Sequence, residues 1–143
     1  MRSMTLPELS KKLQQIDFCM MTTYGGKTLS TRPMSNNGEV EYDGDSWFFS
    51  YEDTRKIDDL KGNPGLSLTF TAPPSLLGKP GIFIAVEGNA QLIRDRQEFE
   101  ARWTEGLDRW FPQKFNTPGL VLIKAHALKI QYWDGDEHDV IAV

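Results

Sequence analysis

The chain has 143 residues with 39% hydrophobic and 25% charged side chains, which is the composition of one folded domain. Its net charge of -4, with no stretch that concentrates lysine or arginine, argues against binding to nucleic acid or to an anionic membrane. The N-terminus lacks an apolar signal-peptide core, and no apolar run is long enough to span a bilayer. The single cysteine favours a cytoplasmic location, and the few cysteines and histidines predict no disulfide and no metal site.

The N-terminal third predicts a helix followed by a hairpin. Thr5 and Glu8 have the spacing of a capping box, which predicts a helix over residues 6–16. Gly25 and Gly26 separate two β-prone runs and predict a tight turn between two strands, residues 18–24 and 27–35.

The next segment predicts a second hairpin and a short helix. Residues 39–42 and 46–51 are β-prone and flank a turn at residues 43–45. Residues 53–61 follow with a helical pattern, which Gly62 and the nearby Pro64 end.

The second half predicts three strands, a loop and a third helix. Residues 66–70 alternate as on a half-buried strand, and residues 72–81 form a loop because they are rich in proline and glycine. A long strand begins at Ile82, with every second residue to Leu92 on one face. Asp95 and Glu98 are spaced as a helix N-cap and its third residue, and this helix is predicted to reach Trp110 and to end at Pro112.

The last strand changes phase in its middle. Ala127 shares a face with Val121, whereas Leu128 begins a new face that continues through Ile130. Such a change predicts a bulge, as curved sheets need. Six or seven mostly antiparallel strands with three short helices predict a mainly β (α+β) barrel, and the absence of alternating β and α units excludes a Rossmann fold.

Two cations at the start of the second predicted helix suggest an anion site. Arg55 and Lys56 lie in its first turn, where the positive end of the helix macrodipole disfavours cations. A bound anion would resolve this conflict through the backbone N–H groups and both side chains. The alternative is that both are solvated surface cations. Four acids are close to them in the sequence, namely Glu52, Asp53, Asp58 and Asp59.

A third cation interrupts a predicted strand. Arg32 lies in its middle, and Pro33 removes a ladder donor, so the backbone there could turn toward a ligand. The alternative is an edge strand with an outward-facing arginine. Together with Arg55 and Lys56, Arg32 could supply the contacts that a phosphate dianion needs.

Aromatic residues recur along the third predicted helix. Phe99, Trp103 and Leu107 have helical spacing, and such a stripe is usually part of a core. Trp110 lies at the end of that helix, where it is harder to bury, so it is a candidate for an interface or for stacking on a planar ligand. The acids between residues 134 and 139 are interpreted as a solvated tail, because their spacing is not that of a calcium loop.

An ordered set of motifs resembles a known family. Arg32-Pro33-Met34, Trp47-Phe48-Phe49-Ser50, Thr54-Arg55-Lys56 and Val86-Glu87-Gly88-Asn89-Ala90 are similar to motifs of the pyridoxamine 5′-phosphate oxidase-like split barrels. Four further motifs are similar more narrowly to the general stress protein branch of that family. They are Arg94-Asp95-Arg96 before Trp103, then Trp110-Phe111-Pro112, Pro118-Gly119-Leu120 and Tyr132-Trp133-Asp134. The resemblance runs from about residue 5 to residue 134.

The resemblance implies a split-barrel homodimer that binds flavin mononucleotide (FMN) at the subunit interface. Residues implied to line the flavin edge are Arg32, Pro33 and Met34, with Arg32 also near the phosphate. Phe49 and Ser50 would contact the ring or its ribityl chain, and Arg55 and Lys56 the phosphate. Trp110 of the partner subunit would approach the isoalloxazine ring, and Trp133 is a further candidate for the same pocket.

One departure from the family bears on activity. The oxidases proper end in an Arg-x-His segment that holds the pyridoxal substrate, whereas no arginine follows Arg109 in this chain. We therefore expect a flavin-dependent oxidoreductase with an unidentified small substrate rather than a true pyridoxamine-phosphate oxidase. The alternatives are a non-catalytic flavin-binding stress protein that acts as a sensor or store, and a barrel that binds another ligand such as haem or a deazaflavin. No catalytic residue can be named from the sequence.

Overall fold

A computed structural model describes residues 3–74, 76–78, 81–141 and 143. Those residues form three α-helices, seven strands and two short 3₁₀ helices. In chain order they are α1 (Leu6–Leu13), β1 (Phe18–Gly25), β2 (Thr28–Ser35), β3 (Asp45–Tyr51), α2 (Arg55–Gly62), β4 (Gly65–Thr71), β5 (Phe83–Ile93), α3 (Arg96–Arg102), the 3₁₀ helices Glu105–Leu107 and Lys114–Asn116, β6 (Leu120–Asp134) and β7 (Glu137–Ile141).

The strands form one antiparallel sheet in the order β2-β1-β4-β5-β6-β3, with β7 also paired to β6. Strand β6 is long enough to pair with two strands along the same edge. Strand β3 pairs with its first half and β7 with its second half. Within the described residues no pairing joins β2 to β3 or β7, so the barrel stays open. The predicted mainly β, antiparallel split-barrel architecture is therefore confirmed.

Several local predictions are confirmed. The Thr5 hydroxyl accepts a hydrogen bond from the Glu8 N–H at 3.3 Å, although α1 ends earlier than predicted. Strands β1 and β2 form the predicted hairpin, and its turn contains Gly26 at a φ of 80°. The predicted loop between β4 and β5 is also present, except that Ser75, Lys79 and Pro80 lie outside the described residues.

The predicted second hairpin is wrong. Residues 39–42 form no strand, and β3 pairs instead with β6. The physical reason is that helix α1 binds this segment. The Tyr42 N–H donates to the Ser10 hydroxyl at 2.8 Å, and the Asn36 side chain donates to the carbonyl oxygen of Leu13 at 2.9 Å. The first bond uses the Tyr42 backbone N–H, which a hairpin ladder would need, and the second holds the preceding residues against α1.

The third helix is shorter than predicted. It begins as expected, because the Asp95 carboxylate accepts from the Gln97 N–H at 3.1 Å, but it ends at Arg102. Trp103 has an extended backbone, and its indole N–H donates to Asp108 at 2.8 Å. The helical continuation to Trp110 is therefore wrong, although Trp103 still packs against a small core around Phe49.

The predicted bulge in β6 is confirmed. Glu87 of β5 faces Lys129, and the next residue, Gly88, faces Ala127, so Leu128 has no partner on β5. Leu128 is exposed rather than part of a new buried face. Gly88 is required at this point, because a Cβ atom there would collide with the carbonyl oxygen of His126.

The acidic C-terminal segment is not a free tail. It forms strand β7, which pairs with the end of β6 through a turn at Gly135, whose φ is 64°. The carboxylates of Asp136, Glu137 and Asp139 are exposed on this hairpin, so only the solvation of the acids was predicted correctly.

Two cores determine where a ligand could bind. The main core lies on the inner face of the sheet and includes Met21, Phe70 and Ile130. The smaller core contains Phe49 of β3 and Phe99 of α3. Neighbouring residues of β3 contribute to different cores, since Phe48 belongs to the main one. The segment after α3 is thereby held against one side of β3.

Candidate ligand-binding cleft

A cleft of about 770 Å³ lies where β2, β3 and the segment after α3 meet. This volume is in the range of sites for small molecules and cofactors. Six of the nine residues predicted from the sequence line it, namely Pro33, Met34, Phe49, Ser50, Lys56 and Trp110. The remaining three, Arg32, Arg55 and Trp133, are not among its lining residues.

Arg32 faces the interior of the protein. Its Nη1 atom donates to the Thr23 hydroxyl at 2.8 Å and to the Met21 carbonyl oxygen at 3.3 Å. Its Nη2 atom lies 3.7 Å from the Asp59 carboxylate. Strand β2 is an edge strand, as the alternative has it, but the Arg32 side chain is only 20% exposed and does not face outward. Burial lowers the pKa of Arg32, Asp59 opposes this effect, and the charge of Arg55 adds to it.

The first turn of α2 has no side-chain cap. Thr54 is the N-cap residue, but its hydroxyl donates to the Tyr51 carbonyl oxygen at 2.9 Å and lies 3.4 Å from the Ser50 hydroxyl. No side chain of the described residues therefore accepts a cap hydrogen bond from the backbone N–H groups at this helix end. Such a terminus is suited to an anion.

Lys56 lines the cleft beside this helix end and is half-buried. Burial lowers its pKa, and the charge of Arg32 lowers it further. Among the residues that the structure describes, no carboxylate forms an ion pair with Lys56 or with the exposed Arg55. A buried cation without a partner is unfavourable, and a bound anion would relieve that cost.

The acids near α2 have other partners. Glu52 accepts hydrogen bonds from Arg94 at 2.6 and 3.0 Å and lies 3.6 Å from Lys61. These contacts lower the pKa of Glu52, chiefly through the hydrogen bond from Arg94. Asp59 accepts from the Thr23 hydroxyl at 2.8 Å and faces Arg32. Arg55 is exposed, as the alternative of solvated surface cations has it, whereas Lys56 is half-buried and neither Glu52 nor Asp59 pairs with it.

Phe49 supports a wall of the cleft. Its ring is 8% exposed and packs edge-on against Trp103, with the ring centroids 4.8 Å apart. A second edge-on contact joins it to Phe99 at 5.8 Å. Ser50, the next residue, is 3% exposed. Both predicted residues are thus fixed in position by packing, and little of either side chain is free to contact a ligand.

The two tryptophans of the predicted site lie in different places. Trp110 is 49% exposed and lines the cleft of its own chain, whereas the resemblance implied a contribution from a partner subunit. Trp133 is 39% exposed and lies near the end of β6, opposite Phe83 on β5 and His138 on β7. That position is on the outer face of the sheet, outside this cleft.

Sequence reasoning missed some of the lining residues. Asn37 bridges two sides of the cleft, because its amide group donates to the Thr104 hydroxyl at 2.9 Å. Arg109 adds a cation beside Trp110, with its guanidinium 5.0 Å from the indole centroid. Because Arg109 directly precedes Trp110 in the sequence, the prediction for Trp110 could have indicated Arg109 as well. The Asn37 contact joins residues 67 positions apart, and no local pattern indicates it.

The cleft therefore combines cationic side chains with apolar walls. Lys56 and Arg109 are cations of its lining, and Met34 and Trp110 contribute apolar surface. A ligand that fits has a planar apolar part joined to an anionic group.

Within the described residues, no helix is long and apolar enough to cross a membrane.

An open antiparallel barrel with a cleft beside β2 and β3 is the structural class of this protein. The sequence matches the family described as "Pyridoxamine 5'-phosphate oxidase like" over residues 5–143, nearly its whole length. The chain belongs to the pyridoxamine 5′-phosphate oxidase-like family, as the sequence motifs predicted. No curated protein matches the sequence.

Solved structures share the fold at low sequence identity. A protein from Clostridium acetobutylicum related to general stress protein 26 superposes with a TM-score of 0.79 at 20% identity, covering 96% of this chain and 94% of that one. The general stress FMN/FAD binding protein of Xanthomonas citri gives a TM-score of 0.74 at 20% identity with the same coverage. General stress protein 26 of Bacillus anthracis gives 0.70 at 22% identity, covering 92% of this chain and 97% of that one. These similarities establish the fold.

Proposed function

We propose that the protein binds FMN in the cleft and acts as a flavin-dependent oxidoreductase on a small substrate. The observation that carries the proposal is Lys56, a half-buried cation in the cleft that lacks an acidic partner among the described residues. It lies in the first turn of a helix whose N-terminus has no side-chain cap. A phosphate dianion is the group that this arrangement suits best.

The other residues of the cleft fit the rest of FMN. Pro33, Met34 and Trp110 offer apolar contacts for a planar ring system, and Lys56 lines the same cleft. The neighbour from Xanthomonas citri is described as an FMN/FAD binding protein, which supports a flavin as the ligand. Bound FMN would supply the electron-transfer chemistry, while the residues of this chain bind it and exclude water.

We also propose that the protein is a homodimer. Large apolar side chains are exposed on the side of the sheet that faces away from the main core. We call this surface the outer face, and its residues are Phe18, Met20, Phe83, Trp133 and Val140. Strand pairing makes two of them direct neighbours, since Phe83 lies opposite Trp133. An exposed apolar surface of this kind favours association.

The outer face is continuous with the cleft, because Phe18 belongs to both and Pro33, which lies opposite Met20, lines the cleft. A second subunit on this face would therefore cover the open side of the cleft and shield a bound flavin. The same subunit contact would bury Trp133, so Trp133 would belong to the flavin site only in the dimer. Cys19, a free and buried thiol, is compatible with the cytoplasmic location that we propose.

Titration of the purified protein with FMN tests the central proposal. We expect a rise in the thermal midpoint and quenching of flavin fluorescence, because Trp110 lies in the cleft. No shift and no quenching at saturating FMN would refute it. Turnover of NAD(P)H by the FMN-loaded protein distinguishes an oxidoreductase from a non-catalytic flavin-binding stress protein, since the latter gives no turnover with any acceptor.

A further inference from the structure

Arg109 is a cation in the lining of the cleft that the binding of a flavin phosphate does not use. Lys56 belongs to α2, whereas Arg109 lies in the segment after α3, directly before Trp110. The central carbon of its guanidinium group is 5.0 Å from the centroid of the Trp110 indole ring. An arginine that packs over a ring in this way keeps N–H groups in the guanidinium plane free to donate. The cleft therefore offers a charged donor beside an aromatic ring.

The acid that precedes Arg109 in the sequence does not neutralise it. Asp108 accepts a hydrogen bond from the Trp103 indole N–H at 2.8 Å and lies 3.8 Å from the Lys114 ammonium group. Across the residues described by the structure, no carboxylate forms an ion pair with Arg109. The charge of Arg109 is therefore left for a ligand.

Two acids of the lining limit the charge of that ligand. Asp17 and Glu39 both line the cleft, and both are exposed. The Glu39 carboxylate lies close to the segment of Arg109, because a Cβ atom added at Gly106 would be 4.0 Å from its Oε1 atom. A second negative charge on the ligand would be repelled by this acid. A ligand at Arg109 is thus expected to carry one negative charge.

We propose that Arg109 is a specificity-determining residue that binds the carboxylate of a small monocarboxylate substrate. The planar guanidinium group matches the two oxygens of a carboxylate, and the apolar part of the substrate contacts the apolar lining that includes Trp110. This proposal rests on the proposed function of the cleft as a flavin site, and it adds the chemical class of the substrate.

The test uses benzoate as the probe, with benzamide as a neutral compound of the same shape. Each is titrated into the FMN-saturated protein, and calorimetry together with the flavin absorption spectrum measures binding. Benzoate should bind about three- to tenfold more tightly than benzamide, as expected for an exposed charge contact. Arg109→Ala should abolish this preference, and Arg109→Lys should keep part of it because it keeps the charge.

Phthalate, which carries two carboxylates on one ring, tests the contribution of Glu39. It should bind more weakly than benzoate, and Glu39→Gln should reduce this difference because it removes the repelling charge. Equal affinities of phthalate and benzoate for the wild-type protein would contradict the restriction to one negative charge.

Arg96→Ala is the matched control. Arg96 is an exposed arginine 5.2 Å from the centroid of the Phe115 ring, and it does not belong to the lining of the cleft. Its loss should leave the preference for benzoate unchanged, and circular dichroism verifies that each variant is folded. Equal binding of benzoate and benzamide by the FMN-saturated wild type, or an unchanged preference in Arg109→Ala, would overturn the proposal. Failure to bind FMN would instead refute the proposed function itself, and this proposal with it.

Discussion

The hydroxyl of Thr23 donates a 2.8 Å hydrogen bond to the carboxylate of Asp59, and both side chains are almost completely buried. The same oxygen accepts a hydrogen bond from Arg32. Thr23 therefore links a strand residue to a helix residue and fixes the guanidinium between them. Buried polar groups that lose such a partner are costly, and this dependence makes the link testable.

Thr23→Val should lower the free energy of unfolding by about 1–3 kcal/mol, because it leaves the Asp59 carboxylate without its buried donor. Urea denaturation measures the change. Thr22→Val is the matched control, because the Thr22 hydroxyl makes an exposed contact with Thr31 at 2.9 Å. It should change stability by less than about 0.5 kcal/mol. Similar effects of the two substitutions would show that the buried link contributes nothing particular.

FMN affinity should depend on pH in a way that riboflavin affinity does not. Burial and the nearby Arg32 lower the pKa of Lys56, so its positive charge is lost at a lower pH than in an exposed lysine. Above that pKa the dissociation constant of FMN should rise relative to that of riboflavin, by up to about tenfold per pH unit, because FMN favours the protonated lysine. Fluorescence titrations between neutral pH and pH 10 measure this ratio.

Lys56→Arg provides the control for this dependence, since arginine stays charged throughout the range. Its ratio of FMN to riboflavin affinity should be flat. A flat ratio in the wild-type protein would mean that Lys56 does not contact the phosphate.

A charge on the outer face should separate the subunits. Phe83→Glu places a carboxylate beside Trp133 on that face, where burial in an interface would be strongly unfavourable. Light scattering should give twice the mass of the 16.3 kDa chain for the wild type and a single chain for the variant. Val143→Glu, an equally radical change at an exposed apolar residue near Gly44, should remain dimeric. A wild-type protein that is monomeric at micromolar concentration contradicts the dimer.

Trp110→Ala should weaken the binding of FMN and riboflavin equally, by about two- to tenfold, because the lost contact is to the ring and not to the phosphate. It should also relieve part of the fluorescence quenching. Trp133→Ala is the comparison, since it removes a tryptophan outside the cleft, and we expect it to alter the dimer before it alters flavin affinity. If Trp110→Ala leaves both flavin affinities unchanged, the ring does not bind beside Trp110.

The FMN-loaded protein should show negligible oxidation of pyridoxamine phosphate. That substrate brings a second phosphate, and the lysines of the C-terminal segment have acidic partners elsewhere. Lys114 lies 3.8 Å from Asp108, Lys124 lies 3.8 Å from Asp45, and Lys129 lies 3.8 Å from Glu87. A coupled assay for pyridoxal phosphate tests this expectation. Robust FMN-dependent production would indicate that Arg109, the remaining cation of the cleft, captures the substrate phosphate.

Features that depend on neighbouring residues could be predicted from the sequence. The Thr5 cap and the β1–β2 turn involve groups a few residues apart, and both are present. The bulge at Leu128 could be predicted because alternation along β6 breaks there. The partner of β3 could not be predicted, since the alternating pattern of a strand does not reveal which strand lies beside it.

The same distinction applies to the site. Lys56 and Trp110 could be placed near a ligand because helix-end electrostatics and exposed aromatic residues are local signals. The inward orientation of Arg32 could not be predicted, because it depends on Asp59, which is far along the chain and on another element. The spacing of Trp103 predicts a helix, yet its backbone is extended and its indole N–H donates to Asp108, five residues further along the chain.

The bulge in β6 makes two facing positions depend on each other. Leu128 is an additional residue on one strand, and Gly88 is a residue without a side chain on the other, where a Cβ atom would collide with the His126 carbonyl oxygen. A chain that lost the residue at position 128 would regain regular alternation along the strand, and we expect that it would no longer need glycine at position 88. Natural variation at the two positions should therefore be coupled, so that relatives inherit both features or neither.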